Sequence, residues 1–224
     1  MRIASSLTGI LAATLMAGAA FAADYRAAPL PPPPPPPGNW AGSYIGGHAG
    51  YLWGDITVVD TTIPATINES VDGFVGGILG GHNWQSGVWV FGIDLDAGWS
   101  NAHGTGTVTA PPPPPNEYDI DWNAHIRGRI GAEVMPGVMV FGAAGVAFTH
   151  FKFTEGGGGP APGGTFTGAT AGLGAEMMWS RNFIVRAEWL HDFRGGTKIY
   201  EAGEYEVTLN HVDTVRGALI YKFR

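Results

Sequence analysis

The stretch Asp119-Ile120-Asp121-Trp122-Asn123-Ala124-His125-Ile126-Arg127-Gly128-Arg129-Ile130-Gly131-Ala132-Glu133-Val134 alternates without a break. Ile120, Trp122, Ala124, Ile126, Gly128, Ile130, Ala132 and Val134 fall on one side of an extended chain, and Asp119, Asp121, Asn123, His125, Arg127, Arg129, Gly131 and Glu133 on the other. Successive side chains of a strand point to opposite faces, so this period of two predicts a β-strand with every ionisable group on one face. The segment before it sets Trp89, Phe91, Ile93, Leu95, Ala97 and Trp99 against Val90, Gly92, Asp94, Asp96 and Gly98. A later one sets Phe183, Val185, Ala187, Trp189 and Phe193 against Arg186, Glu188 and Asp192.

Outward from these, the same period marks eight segments, at 42–53, 72–85, 87–100, 119–134, 137–152, 165–179, 182–194 and 210–223. Gln85-Ser86-Gly87, Met135-Pro136-Gly137 and Ser180-Arg181-Asn182 read as tight turns, whereas 54–71, 101–118, 153–164 and 195–209 read as long loops. Short turns on one side and long loops on the other are the arrangement of a transmembrane barrel. The expected fold is all-β: an eight-stranded antiparallel up-and-down transmembrane β-barrel with a polar interior and a lipid-facing apolar exterior.

A water-soluble barrel would alternate too, with its apolar face inside. Two features favour apolar-out. Aromatic residues gather at the ends of the apolar faces: Trp84, Trp89, Trp179, Phe183, Tyr221 and Phe223 beside the tight turns, and Trp53, Trp99 and Trp122 towards the long loops. Those positions suit the two interfacial girdles of a bilayer-spanning barrel. Trp89 to Trp99 is about ten residues, which at ~3.3 Å per residue and a tilt near ~40° rises ~25 Å, the height of the apolar band.

The second feature is charge of both signs on the inner faces, where an eight-stranded barrel has space only for packed side chains. Buried charge has to be paired. An internal ionic network is therefore expected from His48, Asp94, Asp96, Asp121, His125, Arg127, Arg129, Glu133, Glu176, Arg186, Glu188, Arg216 and Lys222. Its expected role is to hold the barrel closed; the alternative is a narrow conducting path lined by the same groups.

Composition agrees. The 224-residue chain is 45% hydrophobic and only 14% charged, with 36 glycines, so something other than water must face much of its surface. A net charge of −7 without a basic cluster argues against a nucleic-acid partner. There is no cysteine, which excludes disulfides and thiolate metal sites. Arg2, the apolar run Leu7 to Ala20 and Ala20-Phe21-Ala22 read as a cleavable signal peptide over residues 1–22. Residues 23–39, nearly all proline from Leu30 to Gly38, read as a stiff periplasmic spacer, and 40–224 as the barrel domain.

No Gly-x-Ser-x-Gly elbow and no His-Glu-x-x-His motif is present, so neither an enzyme nor a cofactor is expected. His211 with Asp213 and His191 with Asp192 are the only histidine–carboxylate neighbours close enough in sequence to suggest metal ligands, and such pairs are more often surface groups.

The chain resembles the small outer-membrane surface-antigen proteins of Gram-negative bacteria, often called porin family proteins, within the OmpA-like eight-stranded barrel group. The resemblance covers residues 39–223 and rests on Trp40-Ala41-Gly42-Ser43-Tyr44-Ile45-Gly46-Gly47, Gly73-Phe74-Val75-Gly76-Gly77 with Asn83-Trp84-Gln85, Gly174-Ala175-Glu176 through Arg186-Ala187-Glu188-Trp189-Leu190, and Val215 to Phe223. It implies a structural or surface-antigen role, with a small pore or a loop-based receptor or adhesin as alternatives. It implies outer-membrane lipids and lipopolysaccharide as surroundings, periplasmic chaperones and the barrel-assembly machinery as partners in biogenesis, periplasmic termini and extracellular long loops. It also makes Phe223 the aromatic assembly signal, although here Arg224 follows it.

Overall fold

The computed structural model of the protein describes residues 38–60, 65–106, 116–154, 163–193, 196–200 and 205–223. The chain divides into two units, Met1–Pro35 and Pro36–Arg224. The expected signal peptide, and the expected spacer up to residue 37, lie outside the described residues.

Every described element is a strand: β1 (Gly42–Asp60), β2 (Ala65–Ser86), β3 (Trp89–Gly106), β4 (Asn116–Met135), β5 (Val138–Thr154), β6 (Gly163–Met178), β7 (Phe183–Phe193), β8 (Thr197–Tyr200) and β9 (Tyr205–Lys222). Neighbours pair antiparallel in the order β1-β2-β3-β4-β5-β6-β7-β9, and β1 pairs with β9, which closes the sheet. The barrel is thus eight-stranded. The short β8 pairs only with β9 and extends the last hairpin.

The tight turns place Gly87 at φ 60° and Gly137 at φ 77°, a left-handed conformation that glycine adopts without a steric penalty. The long connections differ from expectation. Residues 54–60, 65–71, 101–106 and 116–118 are strand, since β1 and β2 stay paired out to Asp60↔Ala65 and β3 and β4 out to Gly106↔Asn116. The reason is a second solvent. Below Trp53 the inner face of β1 carries Tyr44, Gly46, His48 and Gly50 while Ile45 and Tyr51 face out. Above it, Ile56 and Val58 turn inward and are buried, and Asp55 faces out. The phase is unbroken while the polarity inverts, as expected of a strand that leaves lipid for water.

On β4 the phase does break. A register shift between Ile120 and Trp122 inserts one residue and reverses the faces. Tyr118 and Ile120 are buried inside, whereas Asp119 and Asp121 lie outside. The expected placement of Ile120 on the lipid face and of Asp121 in the interior is therefore corrected.

The interior has three layers. An upper apolar cluster includes Leu52, Ile56, Val71, Tyr118, Phe151, Phe153 and Phe166. A lower one includes Trp40, Tyr44, Leu79, Met139, Phe141 and Ile220. Charged groups lie at mid-height, so the interior is polar there and apolar at both ends. Two large rings of the lower layer cover glycines directly opposite them in the sheet, Tyr44 over Gly81 and Phe141 over Gly174. A Cβ on Gly174 would come 2.6 Å from the Phe141 ring, so only glycine leaves the ring its place.

Candidate functional site

The mid-height layer is built by alternate residues of facing strands. β3 contributes Asp94 and Asp96, β4 His125, Arg127 and Arg129, β6 Glu176, β7 Arg186, Glu188 and Asp192, and β9 Arg216; all are buried. Arg127 is the centre. Its guanidinium donates to Glu188 at 2.7 Å, Asp96 at 2.9 Å and Asp94 at 3.1 Å. Asp94 also accepts from Arg186 at 2.6 Å and from the Tyr44 hydroxyl at 2.6 Å. Arg216 donates twice to Asp96, at 2.7 and 3.0 Å, and once to Glu188, at 2.9 Å. Glu176 lies 2.7 Å from Arg186 Nε and 2.8 Å from Arg129 Nη2. The Arg129 guanidinium carbon stands 4.1 Å from the centroid of the Phe141 ring. Because β3 is not adjacent to β7 or β9, the bonds from Asp94 and Asp96 to Arg186 and Arg216 are struts across the lumen.

His125 completes the charge count. Its Nδ1 lies 2.8 Å from Asp96 and its Nε2 3.0 Å from Asp192. A neutral imidazole has one donor and one acceptor nitrogen, and a carboxylate can only accept, so both contacts are hydrogen bonds only in the doubly protonated ring. With His125 cationic, the four arginines and one imidazolium balance Asp94, Asp96, Glu176, Glu188 and Asp192, five against five. An ionic layer this deep is tolerable because every member has a partner.

Three residues expected in the network sit elsewhere. Asp121 pairs with Lys152 at 2.7 Å on the outer surface, a consequence of the β4 bulge. Glu133 accepts from the backbone N–H of Gly38, at 2.8 and 2.9 Å, and of Gly137, at 2.7 Å, because it stands beside the tight turn. Lys222 donates to the carbonyls of Asn39 and Ala41 at the same end of the barrel. His48 is buried but forms no ion pair within 4.0 Å among the described residues. Tyr44 and Asp192 belong to the network and were missed. Both were legible, since they share the inward phase of His48 and Glu188.

The mouth on the tight-turn side is filled by the chain itself. Trp40 is fully buried in the lower apolar layer. Its backbone N–H donates to the Gln85 side-chain oxygen at 2.8 Å and its backbone carbonyl accepts from the Asn83 side-chain amide at 3.4 Å. Gly38 and Asn39, the end of the expected spacer, are thus fastened to the barrel through Glu133 and Lys222. Nothing in the sequence announces this.

On the outside, Trp53, Trp84, Trp89, Trp99, Trp179, Phe183, Tyr221 and Phe223 are all exposed, and Trp122 is half-buried, stacked on His150 with ring centroids 5.6 Å apart. Between the two sets the wall is apolar, with Ile78, Ile93, Leu95, Ile126, Val146 and Leu173 exposed. Large apolar side chains standing in the open around a charged interior reverse the order of a water-soluble protein. No three histidine, aspartate or glutamate side chains among the described residues converge to hold a metal.

Comparison with known proteins agrees with this architecture. Residues 8–217 match the family described as outer membrane protein beta-barrel domain. The 25 kDa outer-membrane immunogenic protein of Brucella canis is 30% identical over 230 residues, covering 100% of both chains. The 22 kDa outer membrane protein of Rhizobium leguminosarum bv. viciae is 28% identical over 179 residues, which is 80% of this chain and 74% of that one. Among solved structures, OprG of Pseudomonas aeruginosa superposes with a TM-score of 0.52 at 10% identity, over 83% of this chain and 99% of that one. Neisserial surface protein A does so with a TM-score of 0.50 at 14% identity, over 82% and 98%. A closed eight-stranded barrel with an apolar outer wall, matched by that family model along most of its length, is an outer-membrane protein, and the chain belongs to the outer membrane protein beta-barrel domain family.

Proposed function

We propose that this barrel is a non-conducting structural and surface-antigen component of the outer membrane, its lumen plugged by the ionic layer. The observation that carries this is the set of cross-lumen bonds through Arg127, Arg186 and Arg216, sandwiched between two apolar layers. A hydrated ion entering this layer would have to break several charge-assisted bonds and stand between buried hydrocarbon on either side. The immunogenic relatives support exposure at the cell surface. In this reading the tight turns and both termini face the periplasm and the extended hairpins face outward. Lipids and lipopolysaccharide surround the wall, residues 1–22 are removed on export, and Phe223 is read by the assembly machinery. The test is conductance: purified barrel in planar bilayers is expected to give no sustained channel steps, and reproducible unitary steps would overturn the plug.

A further inference from the structure

Toward their outer ends the strands divide into two sheets. β2, β1, β9 and β8 stay paired in one, and β3, β4, β5 and β6 in the other. The two share the upper apolar cluster, to which the first contributes Ile56, Val71 and Val207 and the second Tyr118, Phe151 and Phe166. Two seams separate them. Between β2 and β3 the ladder ends at Asp72↔His103, but the strands stay in contact, since a Cβ on Gly104 would come 2.4 Å from the Ser70 carbonyl oxygen. Between β6 and β7 the ladder ends at Thr170↔Asp192. Beyond it β8 takes up the pairing with β9, and no described strand pairs with Gly163 to Ala169 of β6 on that side.

Which backbone groups face this second seam follows from the turn at the other end of β6. The Met178 N–H donates to the Gly137 carbonyl, on the β5 side, at 2.9 Å, and the Trp179 N–H to the Phe183 carbonyl, on the β7 side, at 3.0 Å. The β5–β6 ladder has no register shift, so these directions alternate along the whole strand. The N–H and C=O of Gly163, Thr165, Thr167 and Ala169 therefore point at the seam. Native edge strands are blunted by lysine or other charges, by proline or by a bulge. The outer part of β2 carries Glu69 and β8 carries Lys198, whereas Gly163-Gly164-Thr165-Phe166-Thr167-Gly168-Ala169 has no charge, no proline and no bulge.

This edge stands clear of the apolar wall. The row of paired residues that leaves β4 at Gly128 through Ala144 and Ala171 returns to β4 at Asp119, so rows climb from β4 through β6. Thr165, in the row of Trp122 and His150, is accordingly farther out than Trp122. The charge around the edge is one-sided. Segments 54–60, 65–72, 100–106, 116–121, 150–154, 163–169, 197–200 and 205–210 carry eight carboxylates, among them Asp119, Asp121 and Glu206, against Lys152 and Lys198, a formal charge of −6 with neutral histidines. We propose that the outer edge of β6 is a docking site for an extended, lysine-rich segment of a protein outside the cell, which adds a strand antiparallel to Gly163–Ala169. Main-chain hydrogen bonds to the four seam-facing residues supply affinity, and the surrounding carboxylates favour a basic sequence over an acidic one. The outward side chains of the edge, Thr165, Thr167 and Ala169, are small and leave room for long side chains at alternate positions of the added strand.

Access from outside rests on the reading of these hairpins as extracellular, and separate measurements test that reading and the site. In a chain without cysteine, a Thr167→Cys variant is expected to react with a membrane-impermeant maleimide on intact cells. The purified full barrel in phosphatidylcholine nanodiscs is titrated, by fluorescence anisotropy, with a labelled, end-blocked peptide of four Lys-Val repeats. Two control peptides are used: one N-methylated at every lysine backbone nitrogen, which keeps the charge but loses the donors, and one with glutamate in place of lysine. The native peptide is expected to bind at least about tenfold more tightly than either. Thr165→Pro with Thr167→Pro removes two N–H groups that face the seam and none that face β5. That variant is expected to keep the heat-modifiable gel mobility of the barrel and lose the preference for the native peptide, whereas Thr165→Val with Thr167→Val keeps both. An inserted barrel left unlabelled on intact cells refutes the outward reading. Equal affinity for either control peptide, or undiminished binding by the folded proline variant, overturns the docking site.

Discussion

At the scale of single residues, Arg127 and His125 carry the interior. Arg127→Met removes the bonds to Asp94, Asp96 and Glu188 and leaves the buried layer with one uncompensated negative charge, so it is expected to cost about 3–5 kcal/mol of unfolding free energy in detergent or lipid. If the charged groups lined a conducting path instead, the same change would alter ion selectivity and leave stability nearly untouched. His125 makes a separate, spectroscopic prediction: ¹⁵N NMR of the folded barrel at neutral pH is expected to show both ring nitrogens protonated. A ring with one bare nitrogen would contradict the five-against-five balance. Most of this layer was legible in the alternation, because a strand phase once fixed by Arg127 fixes every second residue. Asp121 escaped that logic, since a single inserted residue at a bulge has no signature in a sequence that keeps alternating through it. Glu133 and Lys222 lie on the predicted inner face, but at the last rung, where backbone groups rather than charges meet them.

Among the elements, the paired extensions of β1 to β5 depart most from the sequence reading. In the sequence their residues read as loop because proline and glycine mark the tips, yet Ile56, Val58, Val71, Phe151 and Phe153 assemble a small core of their own beyond the tryptophans. A strand that crosses from lipid into water reverses which face is apolar, and a search for one continuous apolar face stops at the crossing. Phe151→Ala is expected to cost about 3–5 kcal/mol locally. Limited proteolysis is expected to cut the β4–β5 hairpin above Trp122 sooner than in the native protein while the barrel keeps its heat-resistant gel mobility. Loss of that mobility would mean the outer core and the membrane-embedded wall fold as one unit.

For the molecule as a whole, eight strands, their order and their orientation relative to lipid followed from period, turn spacing and aromatic placement. The closure by Trp40 did not, because the motif from Trp40 to Gly47 marks where the first strand opens but Trp40 precedes the alternation that would give its ring a face. Trp40→Ala empties a fully buried site and is expected to cost about 3–5 kcal/mol without producing conductance, because the charged layer above remains intact. Channel steps in that variant would relocate the seal from mid-height to the mouth.

The fastening of Gly38 to Ala41 also bears on order of assembly. These four residues grip β2 through Asn83 and Gln85, β4 through Glu133 and β9 through Lys222. The contact is complete only when β9 is in place, and it latches the seam between β1 and β9 from beneath by joining the two ends of the barrel.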